Sequence, residues 1–312
     1  MTVGVVTIGE TMGLFIASTP GGRPTDFRRG IGGAESNVAI GLARLGTPST
    51  WVGRLGADGT GELVLRELRA EGVASGAIID HEAPTGLMVK TQPIAGRTAV
   101  EYHRAGSAGS RLSPGDIDAE LIRSAQLLHV TGITPALSET AAAAIDRALD
   151  VAAEAGIPIS FDVNHRPSLW AGRDFASAYR SIASRADIVF AGEDEAALLV
   201  TGTGPEDYAR RLADLGPSQV LIKLGADGCF AFAHEEALRV AAVPVSVIDT
   251  VGAGDAFAAG YLAEFLAGGD LRSRLHTAVR AGAFACLGVG DWESLPHRRD
   301  LALLTPGDPV AR

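Results

Sequence analysis

Short runs of β-branched and other apolar residues alternate with alanine- and leucine-rich segments along nearly the whole chain. Such alternation predicts repeated strand–helix–strand units around a mostly parallel sheet, and therefore an α/β fold. The pattern predicts strands at residues 3–8, 50–52, 127–130, 158–162, 188–191, 219–223, 229–232 and 245–249. It predicts helices at residues 36–45, 138–154, 256–266 and 272–286, and one capped by Asp58 that runs to about residue 70.

Two stretches, residues 12–30 and 85–106, break this alternation. Their period-2 patterns at 13–17, 87–92 and 97–103, with Gly and Pro turns, predict a small antiparallel sheet beside the main one. A β accessory above an α/β core could serve as a lid, although two surface hairpins without a gating role fit the same pattern. We expect one domain, residues 1–312, into which the lid is inserted.

Composition and charge exclude several classes of function. The 312 residues include 37 acidic and 27 basic side chains, a net charge of -10, whereas a nucleic-acid binder normally carries a basic stripe. Two cysteines cannot form a disulfide framework, so we expect a reducing, cytoplasmic location. No apolar run approaches the roughly 20 residues of a membrane span, and residues 3–8 are too short for a signal peptide. We therefore expect neither a nucleic-acid nor a membrane partner.

The most informative segment, residues 247–260, reads VIDTVGAGDAFAAG. A β-branched run ends at Asp249, Gly252, Ala253 and Gly254 form a short loop, and Asp255 opens an alanine-rich helix. The glycines let consecutive backbone N–H groups converge on one point, and the helix N-terminus adds its partial positive charge there. This segment predicts an anion hole suited to a transferring phosphoryl group.

Asp255 beside this loop has two interpretations. It could accept the proton of an attacking hydroxyl, and the helix field would keep it ionised and therefore a weak base. A weak base suffices for phosphoryl transfer through a loose transition state. Asp255 could also be a simple N-cap, which is the commonest role of Asp at a helix start.

Two other nucleotide-binding patterns do not fit. Phe257 stands where a dinucleotide fingerprint needs its third glycine, and the turn after the first predicted strand has no such fingerprint, which argues against an NAD-dependent oxidoreductase. The pattern G-x-x-x-x-G-K-[ST] is absent, and Lys90 and Lys223 are the only lysines, so a P-loop NTPase is excluded. A catalytically silent sugar or nucleotide sensor stays open.

A second glycine-rich segment, residues 30–46, places Gly32, Gly33 and Ala34 before a helix whose first turn carries Asn37. Together with residues 249–255 near the other end of the chain, it resembles the two signatures of the ribokinase-like (PfkB) sugar kinase family. The resemblance covers essentially the whole chain. It implies a ribokinase-like three-layer α/β/α core with a nine-stranded, mostly parallel sheet, a small β-sheet lid, ATP as donor and Mg²⁺ as cofactor.

The resemblance also implies roles for individual residues. The catalytic set is Asp255 with Gly252, Ala253 and Gly254; the sugar contacts are Gly33, Ala34 and Asn37; the nucleotide contacts are Asn164, Arg166, Lys223, Gly225 and Gly228 with the same loop. One position departs from the family, because Gly192 stands where its N-x-x-E motif has Asn. Glu195 is retained there and would hold Mg²⁺ through water.

Two arginines that follow predicted strands indicate an acidic acceptor. Tyr102 and Arg104 share one face of a lid strand, and Arg166 follows a core strand. Guanidinium groups bind a carboxylate through two parallel hydrogen bonds, whereas a neutral hexose would leave their charge unpaired. Ordinary surface arginines are the alternative interpretation.

The patterns Y-x-R, D-x-N-x-R-x-x-L-W and T-G-I resemble the branch of the family that phosphorylates the terminal hydroxyl of 2-keto-3-deoxygluconate to give the 6-phosphate. A neutral acceptor such as fructose, ribose or a nucleoside is the alternative. An exposed edge of the lid sheet would favour a homodimer.

Overall fold

A computed structural model describes residues 3–19, 21, 24–94 and 97–304. Its strands are β1 (Val3–Ile8), β2 (Met12–Ala17), β3 (Phe27–Gly32), β4 (Ser49–Gly56), β5 (Ala74–Asp80), β6 (Leu87–Ile94), β7 (Arg97–His103), β8 (Ala125–Thr131), β9 (Ile159–Asp162), β10 (Ile188–Gly192), β11 (Gln219–Lys223), β12 (Cys229–Ala233) and β13 (Glu236–Val240). Its helices are α1 (Ala34–Arg44), α2 (Gly59–Ala70), α3 (Ala119–Arg123), α4 (Thr134–Leu137), α5 (Glu139–Ala155), α6 (Pro167–Trp170), α7 (Phe175–Ala183), α8 (Glu193–Leu199), α9 (Gly204–Ala213), α10 (Ala253–Leu266) and α11 (Leu271–Ala285).

The main sheet has nine strands in the order β13-β12-β11-β10-β9-β8-β1-β4-β5. All pairings from β11 to β5 are parallel, and β12 and β13 complete one edge as antiparallel strands. Successive side chains of β10 show how both faces are buried, because Val189 belongs to the same buried cluster as residues of α5, whereas Phe190 packs with Tyr261 of α10 on the other face. The core therefore has the expected three layers. In the described part of the chain, no helix has the length and apolarity needed to cross a membrane.

The small sheet has the order β3-β2-β6-β7 and covers the region of the predicted lid. Its two outer pairings are antiparallel as expected, whereas the central pairing of β2 with β6 is parallel. The chain leaves β3 through α1, β4, α2 and β5 before it returns as β6, and a parallel pair needs such a long crossover. Residues 20, 22–23 and 95–96 of the predicted lid lie outside the described part.

The predicted strand at residues 245–249 is wrong. Val247 and Ile248 are 60% and 51% exposed, and Ile248 N–H donates to the carbonyl of Cys286 rather than to a strand neighbour. The edge of the sheet is instead β13, which follows β12 through a two-residue turn. His234 and Glu235 form this turn with φ of 47° and 70°, so it lacks the Asn-Gly signal that such hairpins usually show. Strand β5 was also not predicted.

We expect the helix layer formed by α5 to be a main source of stability. Leu149 of α5 is fully buried against the sheet, and Leu149→Ala should lower the free energy of unfolding by about 2–5 kcal/mol, measured by urea denaturation. The control is Arg147→Ala on the exposed face of the same helix, which should change it by about 0.5 kcal/mol or less. Equal effects of the two substitutions would contradict this assignment.

Candidate active site

A cleft of about 450 Å³ lies between the small sheet and the carboxyl ends of the parallel strands. Open α/β sheets bind ligands at this edge because the loops after successive strands meet there. Most of the predicted site residues line it: Gly33, Ala34, Asn37, Tyr102, Arg104, Asn164, Arg166, Glu195, Lys223, Gly252, Gly254 and Asp255. Gly192, the position that departs from the family motif, lines it as well. The two glycine-rich motifs are therefore opposite sides of one cavity.

Asn37 and Asp255 connect the two motifs directly. Asn37 Nδ2 donates to Asp255 Oδ2 at 2.8 Å, and the helices that carry them, α1 and α10, pack together. Asn37 Oδ1 is buried and has no partner among the described residues, so it can accept a hydrogen bond from a ligand hydroxyl. On the other side, Asn164 Nδ2 reaches Asp255 Oδ1 at 3.3 Å from a residue held at φ 39°. Asp255 is thus clamped between two amides.

The structure rejects the interpretation of Asp255 as an N-cap. Helix α10 begins at Ala253, three residues earlier than predicted, and its N-cap is Gly252 in the left-handed conformation at φ 81°. Asp255 is therefore the third residue of the helix, where its side chain leaves the helix end and enters the cleft. A Cβ on Gly252 would also overlap the carbonyl oxygen of Asp291, so both the conformation and the packing require glycine.

The expectation that Asp255 is a weak base is also wrong. Its pKa is raised from 3.8 to about 7, mainly by burial and to a lesser extent by the nearby charge of Asp162. The hydrogen bond from Asn37 and the charges of Arg166 and Lys223 act in the opposite direction but do not cancel the loss of hydration. With only 8% of the residue exposed, Asp255 titrates where a general base works best at neutral pH.

The N-terminus of α10 is suited to bind an anion. The N–H groups of Gly254 and Asp255 have no acceptor among the described residues, and they carry the positive end of the helix dipole. A Cβ on Gly254 would lie 3.3 Å from Lys223 Nζ, so the absent side chain leaves room between the amides and this ammonium group. A phosphoryl group would find backbone donors and a cation together.

Lys223 has a partner that was not predicted. Its Nζ lies 2.8 Å from both carboxylate oxygens of Asp162, which is 1% exposed at the end of β9. Burial alone would lower the pKa of Lys223, but Asp162 and Glu195 hold it above its usual value, so Lys223 stays charged. The sequence signal that could have predicted this pair is that Asp162 and Lys223 are the last residues of two nearby parallel strands, β9 and β11.

Glu195 is held by backbone groups at the rim of the cleft. Its Oε1 accepts from His165 N–H at 2.8 Å, and its Oε2 accepts from Gly192 N–H at 2.6 Å. Although burial opposes it, the charge of Lys223 and these amides keep the pKa of Glu195 below its usual value. A Cβ at Gly192 would make only an ordinary 3.4 Å contact with Glu195, and φ there is -70°, so the backbone does not require this glycine.

These residues fit a magnesium ion that takes most of its ligands from water and substrate phosphates rather than from the protein. The described residues contain no cluster of three metal-ligating side chains, and Asp162 is occupied by Lys223. Mg²⁺ commonly keeps several waters and uses one or two carboxylates with substrate phosphates. The fixed, ionised Glu195 at the rim suits this mode.

Arg104 is already paired with a carboxylate, which the sequence did not reveal. Its Nε and Nη2 lie 2.7 and 2.5 Å from Glu10 Oε2, and Ser107 donates to the other oxygen of Glu10. Tyr102 is 42% exposed, with its ring 5.6 Å from the Arg104 guanidinium carbon. The argument that a neutral sugar would leave Arg104 unpaired therefore does not hold. Arg166 is exposed in the cleft and has no ion pair among the described residues.

Three predicted residues do not line this cleft. Gly225 and Gly228 form the turn that follows β11, and a Cβ on Gly228 would overlap the carbonyl of Val240. This close approach explains Gly228 without a ligand. Ala253 is the first residue of α10, and its side chain packs into the core. Nucleotide contacts by Gly225 and Gly228 stay predictions.

Comparison with known proteins agrees with this geometry. The family model described as "pfkB family carbohydrate kinase" matches residues 4–298. The chain belongs to the pfkB carbohydrate kinase family. A 2-dehydro-3-deoxygluconokinase from Bacillus subtilis is 38% identical to this pfkB-family chain over 308 residues, which is 97% of the chain and 95% of the relative.

Solved structures agree with the ribokinase-like fold expected of the family. The 2-dehydro-3-deoxygluconokinase of Thermotoga maritima superimposes with a TM-score of 0.88 at 26% identity, covering 98% of this chain and 99% of that one. A fructokinase with bound ATP from Xylella fastidiosa gives a TM-score of 0.85 at 25% identity, covering 97% and 98%. Both likenesses include the main sheet and the lid region.

The burial of Asp255 should make the stability of this kinase depend on pH. Because its pKa is higher in the folded chain than in the unfolded one, its contribution is full below about pH 4 and is lost as pH rises through 7. The unfolding free energy of Asp255→Asn, minus that of the wild type, should therefore grow by up to about 4 kcal/mol from pH 4 to 8. Urea denaturation at several pH values measures it.

The matched control is Glu154→Gln at an exposed carboxyl of α5, measured at the same pH values. A difference for Asp255→Asn that stays constant with pH, or one that changes no more than in this control, would contradict the assignment to Asp255.

Proposed function

We propose that this protein transfers the terminal phosphoryl group of ATP to the terminal hydroxyl of 2-keto-3-deoxygluconate, giving the 6-phosphate. The observation that carries the proposal is the 2.8 Å hydrogen bond between Asn37 and Asp255. It places a residue expected to contact the sugar beside the proposed base at the N-terminus of α10. The relatives named as kinases of this sugar acid support the choice of acceptor.

In this reaction Asp255 accepts the proton of the attacking hydroxyl. A pKa of about 7 leaves it partly ionised at neutral pH and strong enough to hold that proton. Asn37 Oδ1, which has no partner in the described part of the chain, accepts from a neighbouring sugar hydroxyl and so orients the acceptor. The amides of Gly254 and Asp255 donate to the phosphoryl oxygens, with Lys223 beside them. A bound magnesium ion would neutralise charge on the phosphates, and Glu195 would hold this ion through water.

We propose Arg166 as the main contact of the acceptor carboxylate. It is the arginine of the cleft that lacks an ion pair in the described part of the chain, and an uncompensated guanidinium binds a carboxylate strongly. Arg104 keeps Nη1 available beyond its contact with Glu10, and Tyr102 completes the wall from the lid. A second role of Arg166 toward the donor phosphates is compatible with its position near Glu195 and Asp162.

A neutral acceptor such as fructose is the second candidate. It is favoured by the Glu10–Arg104 ion pair, which removes the penalty for binding a sugar without a carboxylate at that wall. The fructokinase with a similar fold shows that this architecture also occurs in a kinase of that name.

A panel of acceptors with and without carboxylates distinguishes the candidates. We expect coupled ADP formation to be highest with 2-keto-3-deoxygluconate, and Arg166→Ala to raise KM for this acid about tenfold or more while changing KM for a neutral sugar little. Arg147→Ala, an exposed arginine outside the cleft, is the matched control. Preference for fructose would favour the second candidate, and no ADP formation with any acceptor would indicate a sensor.

The role of Asp255 is tested by its pH profile. We expect kcat/KM to rise with pH to a plateau with an apparent pKa near 7, because the base must lose its proton before it can act. Asp255→Asn should lower kcat about a hundredfold or more and leave ATP binding by calorimetry nearly unchanged. Retention of most of the turnover by this variant would contradict base catalysis.

We also propose that residues 1–312 act as one kinase domain in the cytoplasm, as a homodimer that pairs through the lid. Strands β3 and β7 are the edges of the small sheet, and six of the seven residues of β7 are exposed. Unpaired strand edges are suited to association with a second copy.

A further inference from the structure

A buried cation lies where the lid meets the loop after α11. Lys90 of β6 is one of only two lysines in the chain, and it is 2% exposed. Its Nζ lies 2.6 Å from Asp249 Oδ2, 2.9 Å from the carbonyl of Gly290 and 3.2 Å from Asp291 Oδ1. The contact with Asp249 is an ion pair whose angles are poor for a hydrogen bond. Strand β6 and two further segments, at residue 249 and at residues 290–291, therefore meet at one ammonium group.

Two of these segments determine the shape of the anion hole. Asp249 Oδ1 accepts from Val251 N–H at 3.2 Å, directly before the left-handed turn at Gly252. The backbone of Gly252 packs so closely on Asp291 that only a glycine fits there. The position of the amides at the start of α10 thus depends on where Asp249 and Asp291 lie.

Lys90 holds these two carboxylates together against their repulsion. Asp249 and Asp291 are 3% and 7% exposed, so water screens them little. The pKa of Asp291 is raised to about 6, with burial as the main cause, and Lys90 is the largest influence that lowers it. Without the ammonium group, either the carboxylates must move apart or one must bind a proton, and both changes would alter the support of Gly252.

We propose that Lys90 is a positioning residue for phosphoryl transfer, which it serves by holding Asp249 and Asp291 so that the backbone amides at Gly252, Gly254 and Asp255 keep their alignment. This inference rests on the proposed function. Because Lys90 belongs to the small sheet, it also couples the seating of the lid to the geometry of the anion hole. Lys90 itself does not line the cleft beside Asp255 and touches no reacting atom.

The test removes the Lys90 side chain by mutation and then supplies the missing group as a small amine in solution. Lys90→Ala removes three methylene groups and the ammonium, which together correspond to n-propylammonium. We expect kcat to fall about tenfold or more at saturating substrates, because a misplaced donor set costs rate. KM for the sugar acid should change by about threefold or less. n-Propylammonium should restore most of kcat, whereas 1-propanol, its neutral analogue, should not.

Arg54→Ala is the matched control. Arg54 forms ion pairs with Asp80 and Asp116 at 3.0 and 2.9 Å, is also largely buried, and does not line the cleft. It should lose thermal stability without losing kcat. If Lys90→Ala does not fold, kcat is measured instead for Lys90→Gln, whose neutral side chain is one atom shorter but keeps an N–H donor; without the ammonium charge its kcat should also fall.

An unchanged kcat in Lys90→Ala, a loss that propylammonium does not restore, or failure of both variants to fold while Arg54→Ala folds would overturn the positioning role. Failure of the proposed function gives a different result, because the wild type would then not phosphorylate the acid.

Discussion

The burial of one carboxylate, that of Asp255, is the constraint on which the rest of the site depends. Its helix end would favour the ionised form, but the packing of α1 against α10 and the cover of Asn164 remove most of its water. The loss of hydration is the larger effect, and the pKa rises to about 7. The two amides that clamp it keep it from being a buried charge without partners. The contacts that bury the Asp255 carboxylate, and so make its ionised form costly, also direct it into the cleft.

The lid is joined to the core by two separate sets of ion pairs. In the first set Arg104 of the segment after β7 meets Glu10, and in the second Lys90 of β6 meets Asp249 and Asp291. Both cations lie on the lid side, and all three carboxylates lie outside the small sheet. These pairs are buried, so their orientation is specific and salt screens them weakly. They fix the small sheet over the cleft in a way that apolar packing alone would not.

The α/β class, most strands and the two motifs could be predicted from the sequence because they follow from local periodicity and from glycines at helix starts. The edge of the sheet could not, since the turn at His234 and Glu235 uses residues without a turn signature. The electrostatics were least accessible. The partners of Lys223 and Arg104 are Asp162 and Glu10, which lie 61 and 94 residues away. The pKa of Asp255 depends on burial that only the packed helices create.

The pairing of cations inside the cleft determines how an acidic protein can admit an anionic donor. The chain carries a net charge of -10, and both Lys223 and Arg104 already face a carboxylate. Under the proposed function, an incoming phosphate would meet the guanidinium of Arg166, which has no ion pair among the described residues, and backbone amides that have no acceptor there. Backbone donors are neutral, so they stabilise charge that develops during transfer without attracting other anions over long distances. Under the proposed function, specificity for the transferring group would then depend on the shape of the glycine turn, which Asp249 and Asp291 support.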